Sequence, residues 1–381
     1  MLLAEIARTS RAVAATAGRR DKIELLARCL RDAGPAQVAV AVSYLSGELP
    51  QRQIGVGYAA LRAVPEPAGT ETLTVAQVDA AFTEIGGLAG KGSVAARREL
   101  LAALLGRATR EEQDFVIRLL AGELRQGALD GVLADAVAAA AQVPAGEVRR
   151  AAMLRGALAP VAAVALDRGV AGLREFGLEV GRPIKPMLAA ASPALDEAFD
   201  KLGAPEKQVA VEWKLDGVRA QIHVVDGTAT VFTRTLDDIT DRLPEVVAAL
   251  RELPVRSAVL DGELIALRPD GRPHPFQITS ARTASRTDPG VPLSVFLFDV
   301  LHLDGADLLD RPAAERHAAL AAITPDELRM PRLVTGSAAA ATGFFTDSVA
   351  HGHEGVVVKS LDTPYTAGRR GAGWIKVKPR H

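Results

Sequence analysis

Glu212-Trp213-Lys214-Leu215-Asp216-Gly217-Val218-Arg219 sets a lone lysine two residues before an Asp-Gly turn and five before an arginine. The stretch Val209 to Trp213 reads as a strand, so Lys214 stands at its end, and Asp216-Gly217 turns the chain so that Arg219 returns to the same side. A lysine attacks only as the neutral amine, and its ordinary pKa of about 10.4 keeps it charged in water. Neighbouring cations and partial burial lower that value, as an activated lysine needs. The stretch therefore reads as a nucleophilic lysine facing a nucleotide phosphate, and its plain alternative is a charged surface hairpin.

Other charged clusters in the second half supply what such a lysine requires. Lys359 ends the strand Gly355 to Val358, and Lys376 and Lys378 alternate within Trp374-Ile375-Lys376-Val377-Lys378, which points both to one face of a strand. Two such lysines beside Trp374 suit a phosphate group. Glu263 in Leu260-Asp261-Gly262-Glu263-Leu264 and Glu354 in His353-Glu354-Gly355-Val356-Val357 each stand at a strand entrance beside a glycine. Together they can hold a hard divalent cation through oxygen, and an ion that keeps waters and bridges phosphates is Mg2+. Taken singly, each is a surface acid, and Phe298 and Trp374 are core aromatics. His351 and His353 read as solvated loop residues, and His274, His302 and His317 suggest no role.

Composition bounds the rest. A chain of 381 residues forms two or three domains with real cores. Net charge is −1, so any nucleic-acid contact depends on a local basic face. Cys29 is the only cysteine, which excludes an internal disulfide and a cysteine-based zinc site. No apolar run is long enough for a membrane span, and acidic Glu5 spoils a signal peptide, so a soluble cytoplasmic protein is expected, with no membrane partner.

The texture changes near residue 185. Before it, Asp21 to Ala33, Ser93 to Leu105 and Arg110 to Leu124 repeat apolar residues every three or four positions and read as amphipathic helices. Tyr44-Leu45-Ser46-Gly47-Glu48-Leu49 resembles Leu119-Leu120-Ala121-Gly122-Glu123-Leu124, and each precedes an arginine, Arg52 or Arg125, and then a glycine. Both copies suit either a phosphate contact at a helix end or a glycine C-cap with a solvated arginine. Gly86-Gly87-Leu88-Ala89-Gly90-Lys91-Gly92-Ser93 has one residue too few between its glycines for a P-loop and a glycine after the lysine. Lys91 and Ser93 read instead as a turn touching a nucleic-acid phosphate, or as plain surface.

Gly181-Arg182-Pro183-Ile184-Lys185-Pro186-Met187-Leu188 resists helix and reads as an extended connector that permits rotation. Beyond it Ala220 to Val224 and Thr228 to Phe232 flank Val225-Asp226-Gly227, a hairpin signature. Val259-Leu260, Leu264 to Leu267, Leu293 to Leu297 and Val356 to Val358 read as further strands, and Leu243 to Leu253, Ala313 to Ile323 and Thr346 to Ala350 as helices. The fold class is multidomain, an all-helical part followed by an α+β part on antiparallel sheets.

Glu212 to Arg219, Phe232-Thr233-Arg234, Leu260 to Leu264, Phe296-Leu297-Phe298-Asp299, Glu354 to Lys359 and Trp374 to Lys378 occur in the order and spacing of the nucleotidyltransferase motifs of ATP-dependent DNA ligases. The chain resembles that family over nearly its whole length, above all the archaeal enzymes and the ligase B type of actinobacteria, whose high-GC composition it shares. The resemblance implies a helical DNA-binding domain over residues 1–180 and an adenylation domain, ATP-grasp-like and built on antiparallel sheets, over residues 181–381. It implies a monomer that takes AMP from ATP onto Lys214, passes it to the 5′-phosphate of nicked duplex DNA, and seals the strand with Mg2+. By the same likeness Glu212 reads the adenine amino group, Phe298 stacks on the base, and Arg219 touches the ribose or the 5′-phosphate. Arg234 binds the 5′-phosphate, Glu263 and Glu354 carry the metal, Asp216 orients a phosphate or the 3′-hydroxyl, and Lys359, Lys376 and Lys378 neutralise phosphates. Lys91, Ser93 and Arg125 join Arg234 as candidate DNA contacts.

One departure from the family pattern shapes the expectation. The chain ends at Pro379-Arg380-His381, where ligases continue into an OB-fold, so it is expected to be a truncated form that binds nucleotide and DNA but self-adenylylates weakly or not at all. An RNA ligase or capping-type nucleotidyltransferase shares Lys214, Asp216, Gly217 and Arg219, although the helical half argues against both. An NAD-dependent ligase lacks support without zinc-binding cysteines. A non-catalytic nick-binding fragment is the remaining alternative.

Overall fold

The computed structural model describes residues 1–124, 129–285 and 290–379. Its chain divides into two compact units, Met1–Gly177 and Leu178–His381.

The first unit is helical among its described residues: α1 (Leu3–Ala15), α2 (Arg19–Ser46), α3 (Tyr58–Leu61), α4 (Val75–Gly87), α5 (Ser93–Gly106), α6 (Arg110–Ala121), α7 (Leu129–Ala141), α8 (Ala145–Arg155) and α9 (Leu158–Leu173). Thr74 and Thr109 start α4 and α6 with reciprocal capping boxes to Gln77 and Glu112, which satisfy amides the first turn leaves unpaired. The apolar faces of α2, α4, α5 and α7 meet in one core, where Leu26, Leu30, Phe82, Leu101 and Leu133 are sealed and the Tyr44 ring meets Phe82 edge-on at 6.0 Å. The helix expected over Asp21 to Ala33 continues past a kink at Gly34-Pro35 to Ser46, because Gly34 adopts φ 66° and the chain resumes helix at once.

The two similar segments have a structural explanation. Gly47 (φ 77°) and Gly122 (φ 72°) are left-handed C-caps whose amides bond back into the last turns of α2 and α6. Arg125 lies outside the described residues. Lys91 is exposed between Gly90 and Gly92, both at positive φ, and Ser93 opens α5, with helix α4 and not a strand before the loop.

The second unit holds two five-stranded sheets. The first has the order β1 (Leu188–Ser192), β10 (Arg370–Val377), β9 (Val356–Ser360), β2 (Val209–Trp213) and β8 (Arg332–Thr335). The second has the order β4 (Thr228–Thr233), β3 (Val218–Val225), β5 (Ser257–Ala266), β6 (Leu293–Leu303) and β7 (Ala306–Asp307). Helices α10 (Leu195–Leu202), α11 (Pro244–Arg251), α12 (Phe276–Ala284), α13 (Ala313–Ile323) and α14 (Ala338–Ala350) complete it. Pairing is antiparallel except for β1 with β10, which is parallel. The hairpin turn is as its Asp-Gly pair demands, with Asp226 and Gly227 both at positive φ. The segments Val259-Leu260 and Leu264 to Leu267 join in one strand that stops at Ala266, and within it Gly262 runs so close to β6 that a Cβ there would lie 2.8 Å from the Phe296 carbonyl.

The segment read as a connector is bonded to the second unit along its length. The Leu178 amide donates to Asp307, the Gly181 amide to His223 Nδ1 at 2.8 Å, and the Met187 amide to the Tyr365 hydroxyl. Ile184 exchanges two hydrogen bonds with the buried Gln221 side chain. Prolines removed helix from this stretch, and buried side chains took its free amides and carbonyls.

Candidate active site

Lys214 lies on the link between the two sheets. β2 belongs to one sheet and β3 to the other, so Leu215-Asp216-Gly217 is a crossover and not the turn of a hairpin. Gly217 threads it through a space with no room for a side chain, since a Cβ would fall 2.2 Å from the Leu264 carbonyl oxygen. The backbone extends the β2–β9 ladder by one step: the Lys214 amide donates to the Gly355 carbonyl at 2.9 Å, and the Glu354 amide to the Lys214 carbonyl at 3.0 Å.

That extension brings the Lys214 amine onto one carboxylate oxygen of Glu354, while Lys378 donates to the other at 2.6 Å. Burial alone would raise the Glu354 carboxyl, but these two hydrogen bonds hold it below its ordinary value. Partial burial raises Asp216, and the charge of Glu354 adds to this. Burial lowers Lys376, reinforced by Lys214, Lys378 and Arg370. Glu263 is pushed up to about 7 by burial, against the pull of Arg219, Lys214 and a hydrogen bond from the Gly217 amide. Among the described residues no three or more His, Cys, Asp or Glu side chains converge as a metal cage. Glu263 and Glu354 each interact with Lys214 and offer oxygen donors only, which fits a hard cation that takes its remaining ligands from elsewhere.

A second cluster is largely buried. Glu212 is 2% exposed, with one carboxylate oxygen on Arg332 (2.5 Å) and the other on Lys359 (2.5 Å). Burial opposes ionisation of Glu212, but Arg332 and Lys359 outweigh it and bring its pKa down to about 2. Lys359 Nζ also stands 4.2 Å from the Phe298 ring centre and 4.1 Å from that of Trp374, as cation–π contacts require. Phe298 owes its position to a register shift: Asp261 pairs with Asp299 and Gly262 with Leu297, so Phe298 is the unpaired residue of a bulge. Its freed carbonyl accepts from Arg332 at 2.7 Å.

The other expected residues are spread over both sheets. Lys359 is buried against Glu212. Arg219 forks onto Asp261 at 2.7 and 2.6 Å and also bonds the Met187 carbonyl, with its guanidinium 4.9 Å from the Phe298 ring centre. Arg234 is exposed just past the end of β4. His353 is buried, not solvated, and His351 and His353 pack on Trp213 at ring separations of 5.0 and 5.1 Å. Sequence reading missed Arg332, Asp261, the sealed Arg316–Asp299 pair and Tyr365, which donates to Asp261 at 2.6 Å. Only the register could have exposed Arg332, since it sits directly across from Glu212 on β8.

Residues 186–378 match the ATP dependent DNA ligase domain, and residues 60–138 the DNA ligase N terminus. The chain belongs to the ATP-dependent DNA ligase family. It is 56% identical to a probable DNA ligase of Mycolicibacterium gilvum, over all of this chain and 75% of that protein. It is 54% identical to a probable DNA ligase of Anaeromyxobacter sp. strain Fw109-5, over all of this chain and 74% of that one. The solved structure Pmar-Lig_PreS3 shares the fold, with TM-score 0.58 and 16% identity over 98% of this chain and 78% of its own. As a member of the ATP-dependent DNA ligases the protein is an enzyme that uses ATP as AMP donor to join nicked DNA. Among the described residues no helix is long and apolar enough to cross a membrane.

Proposed function

We propose that Lys214 is the amine that takes AMP from ATP, and that the residues around it divide the work of that ligase reaction. In the first step the Lys214 nitrogen bonds the α-phosphorus, pyrophosphate leaves with the α–β bridging oxygen, and the amine loses a proton. The nick 5′-phosphate then displaces Lys214 to form a DNA-adenylate. Finally the 3′-hydroxyl attacks that phosphate, AMP leaves, and the strand is closed.

The observation that carries this reading is the position of Lys214: on the crossover between two sheets, held by Glu354, with Lys376 and Lys378 among the charges it faces. Glu354 keeps the amine in place before nucleotide enters, and the pair must open for attack. Lys376 and Lys378 offset the negative charge that grows on the phosphate oxygens. Glu212 accepts the adenine amino group, Phe298 stacks on the base, Lys359 holds Glu212 and the rings around the nucleotide, and Arg219 braces Phe298 while facing the ribose side. Asp216 orients the phosphate or the 3′-hydroxyl. Arg234, Lys91, Ser93 and Arg125 contact DNA phosphates.

Glu263 and Glu354 would hold Mg2+, which supplies Lewis-acid charge neutralisation at the phosphates. We read the physiological form as a cytoplasmic, nucleoid-associated monomer acting on nicked duplex DNA. Intact mass after incubation with ATP and Mg2+ tests the chemistry: a gain of one AMP that is lost in Lys214→Ala supports it, and a gain that persists in that variant overturns it.

A further inference from the structure

Arg332 is tied to both residues proposed to recognise the base. Its guanidinium bonds Glu212 through Nε at 2.7 Å and through Nη2 at 2.5 Å, and the same Nη2 donates to the Phe298 carbonyl at 2.7 Å. That carbonyl is free because Phe298 is the unpaired residue of the β5–β6 bulge. β8 and β6 lie in different sheets, so this one side chain fixes the carboxylate of one sheet to the aromatic position of the other. The planar fork of arginine can span both acceptors, which a lysine ammonium cannot do with the same geometry.

We propose that Arg332 is a positioning residue that sets selectivity for adenine over guanine nucleotides by holding Glu212 as an ionised acceptor in register with Phe298. This rests on the reading that Glu212 meets the base. Adenine presents an amino donor at position 6 and guanine a carbonyl acceptor. A carboxylate bonds the first and repels the second, whereas a protonated carboxyl can donate to guanine and the discrimination is lost. The groups facing Glu212 are Arg332 on β8, Lys359 on β9 and His317 on α13, with Arg316 on α13 and Asp299 on β6 charged nearby. His317 has neither ring nitrogen hydrogen-bonded, and burial lowers it to about 3, so it stays neutral through the working range. With Arg332 gone, Lys359 is the one cation left directly on the Glu212 carboxylate among the described residues.

The test is nucleotide binding by the full chain, with ATP and GTP titrated separately by calorimetry between pH 5.5 and 8.5. The unaltered protein should prefer ATP with an ATP-to-GTP ratio that is flat in pH, because the titration of Glu263 affects both nucleotides alike. Arg332→Met should lose about tenfold of the ATP-to-GTP ratio, as expected when one charge-assisted hydrogen bond is removed. That ratio should also fall as the pH drops, because burial then raises Glu212 into the titrated range. Arg332→Lys keeps the charge but cannot hold both acceptors, and should lose a smaller part, about threefold; this variant decides if Arg332→Met does not fold. An unchanged ratio and flat profile in folded Arg332→Met, or an unchanged ratio in Arg332→Lys, would overturn the inference. Glu212→Gln separates the two levels. If that variant keeps full selectivity, the base-reading role of Glu212 fails; if it loses selectivity while the Arg332 variants keep theirs, only the role of Arg332 fails.

Discussion

The Lys214 amine and the Glu354 carboxylate are bonded to each other while the Lys214 main chain accepts from the Glu354 amide and donates to the Gly355 carbonyl. The side-chain pair is therefore set by backbone register and not by chance approach of two flexible groups. Glu354→Gln keeps the shape but removes the charge that Lys214 and Lys378 share. It should lower the rate of covalent AMP attachment by about 10²-fold, a loss typical of one electrostatic catalytic contact. Radiolabel transfer from ATP in single-turnover conditions measures this, and a rate within twofold of the unaltered protein would remove Glu354 from the machinery.

Gly217→Ala should damage folding and chemistry together. The added methyl would sit 2.2 Å from the Leu264 carbonyl oxygen and 3.0 Å from the Glu263 side chain, and neither β5 nor the crossover can yield without moving Lys214. The cost is about 1–3 kcal/mol from overpacking alone. Gly355→Ala should behave likewise, since its φ of 134° and a 2.2 Å approach to the Val377 carbonyl both exclude a side chain. Thermal melts of the two variants would show the loss, and unshifted midpoints would contradict it.

These glycines mark the limit of what the sequence made legible. The strand at Val209 to Trp213 and the helix at Ala313 to Ile323 were readable to the residue, because period and turn chemistry are local. The hairpin through Asp226-Gly227 was readable for the same reason. Assigning β2 and β3 to different sheets is a long-range matter, and Asp216-Gly217 gives the same local signal for a hairpin turn as for a crossover. Arg332 was invisible for a related reason: nothing near Pro331-Arg332-Leu333 marks a partner 120 residues earlier. The bulge that frees the Phe298 carbonyl has no sequence signature beyond Gly262 on the opposite strand.

The sealed pair of Arg316 and Asp299 makes a prediction about stability alone. Both side chains are 0% exposed, and Arg316 also donates to the carbonyls of Arg311 and Thr363. Arg316→Met leaves Asp299 charged and without its partner in the interior, at a cost of about 3–5 kcal/mol. Chemical denaturation should report that loss, and replacing Asp299 by Asn in the same chain should recover part of it.

Stability should also fall below neutral pH through His223. Its Nδ1 accepts from the Gly181 amide, its Nε2 meets Gln221, and burial lowers its pKa to about 4. A histidine with a depressed folded pKa stabilises the fold above its unfolded value near 6.5, and that contribution is lost progressively as pH falls from about 6.5 to about 4. The loss reaches about 2 kcal/mol by pH 5 from this residue. Denaturation midpoints at pH 7 and pH 5 measure it, and His223→Gln should flatten the difference without abolishing it, because His317 is depressed in the same direction.

The parallel pairing of β1 with β10 has a consequence for any attempt to isolate the catalytic unit. Its opening strand has β10 as its neighbour, and β10 is the last strand described, so the sheet is completed only when the two ends of the unit meet. A fragment begun after Ser192 would strip the cover from the edge of the strand that bears Lys376, leaving a row of unsatisfied amides and carbonyls open to a neighbouring molecule. Such a fragment would aggregate for want of five residues that perform no chemistry.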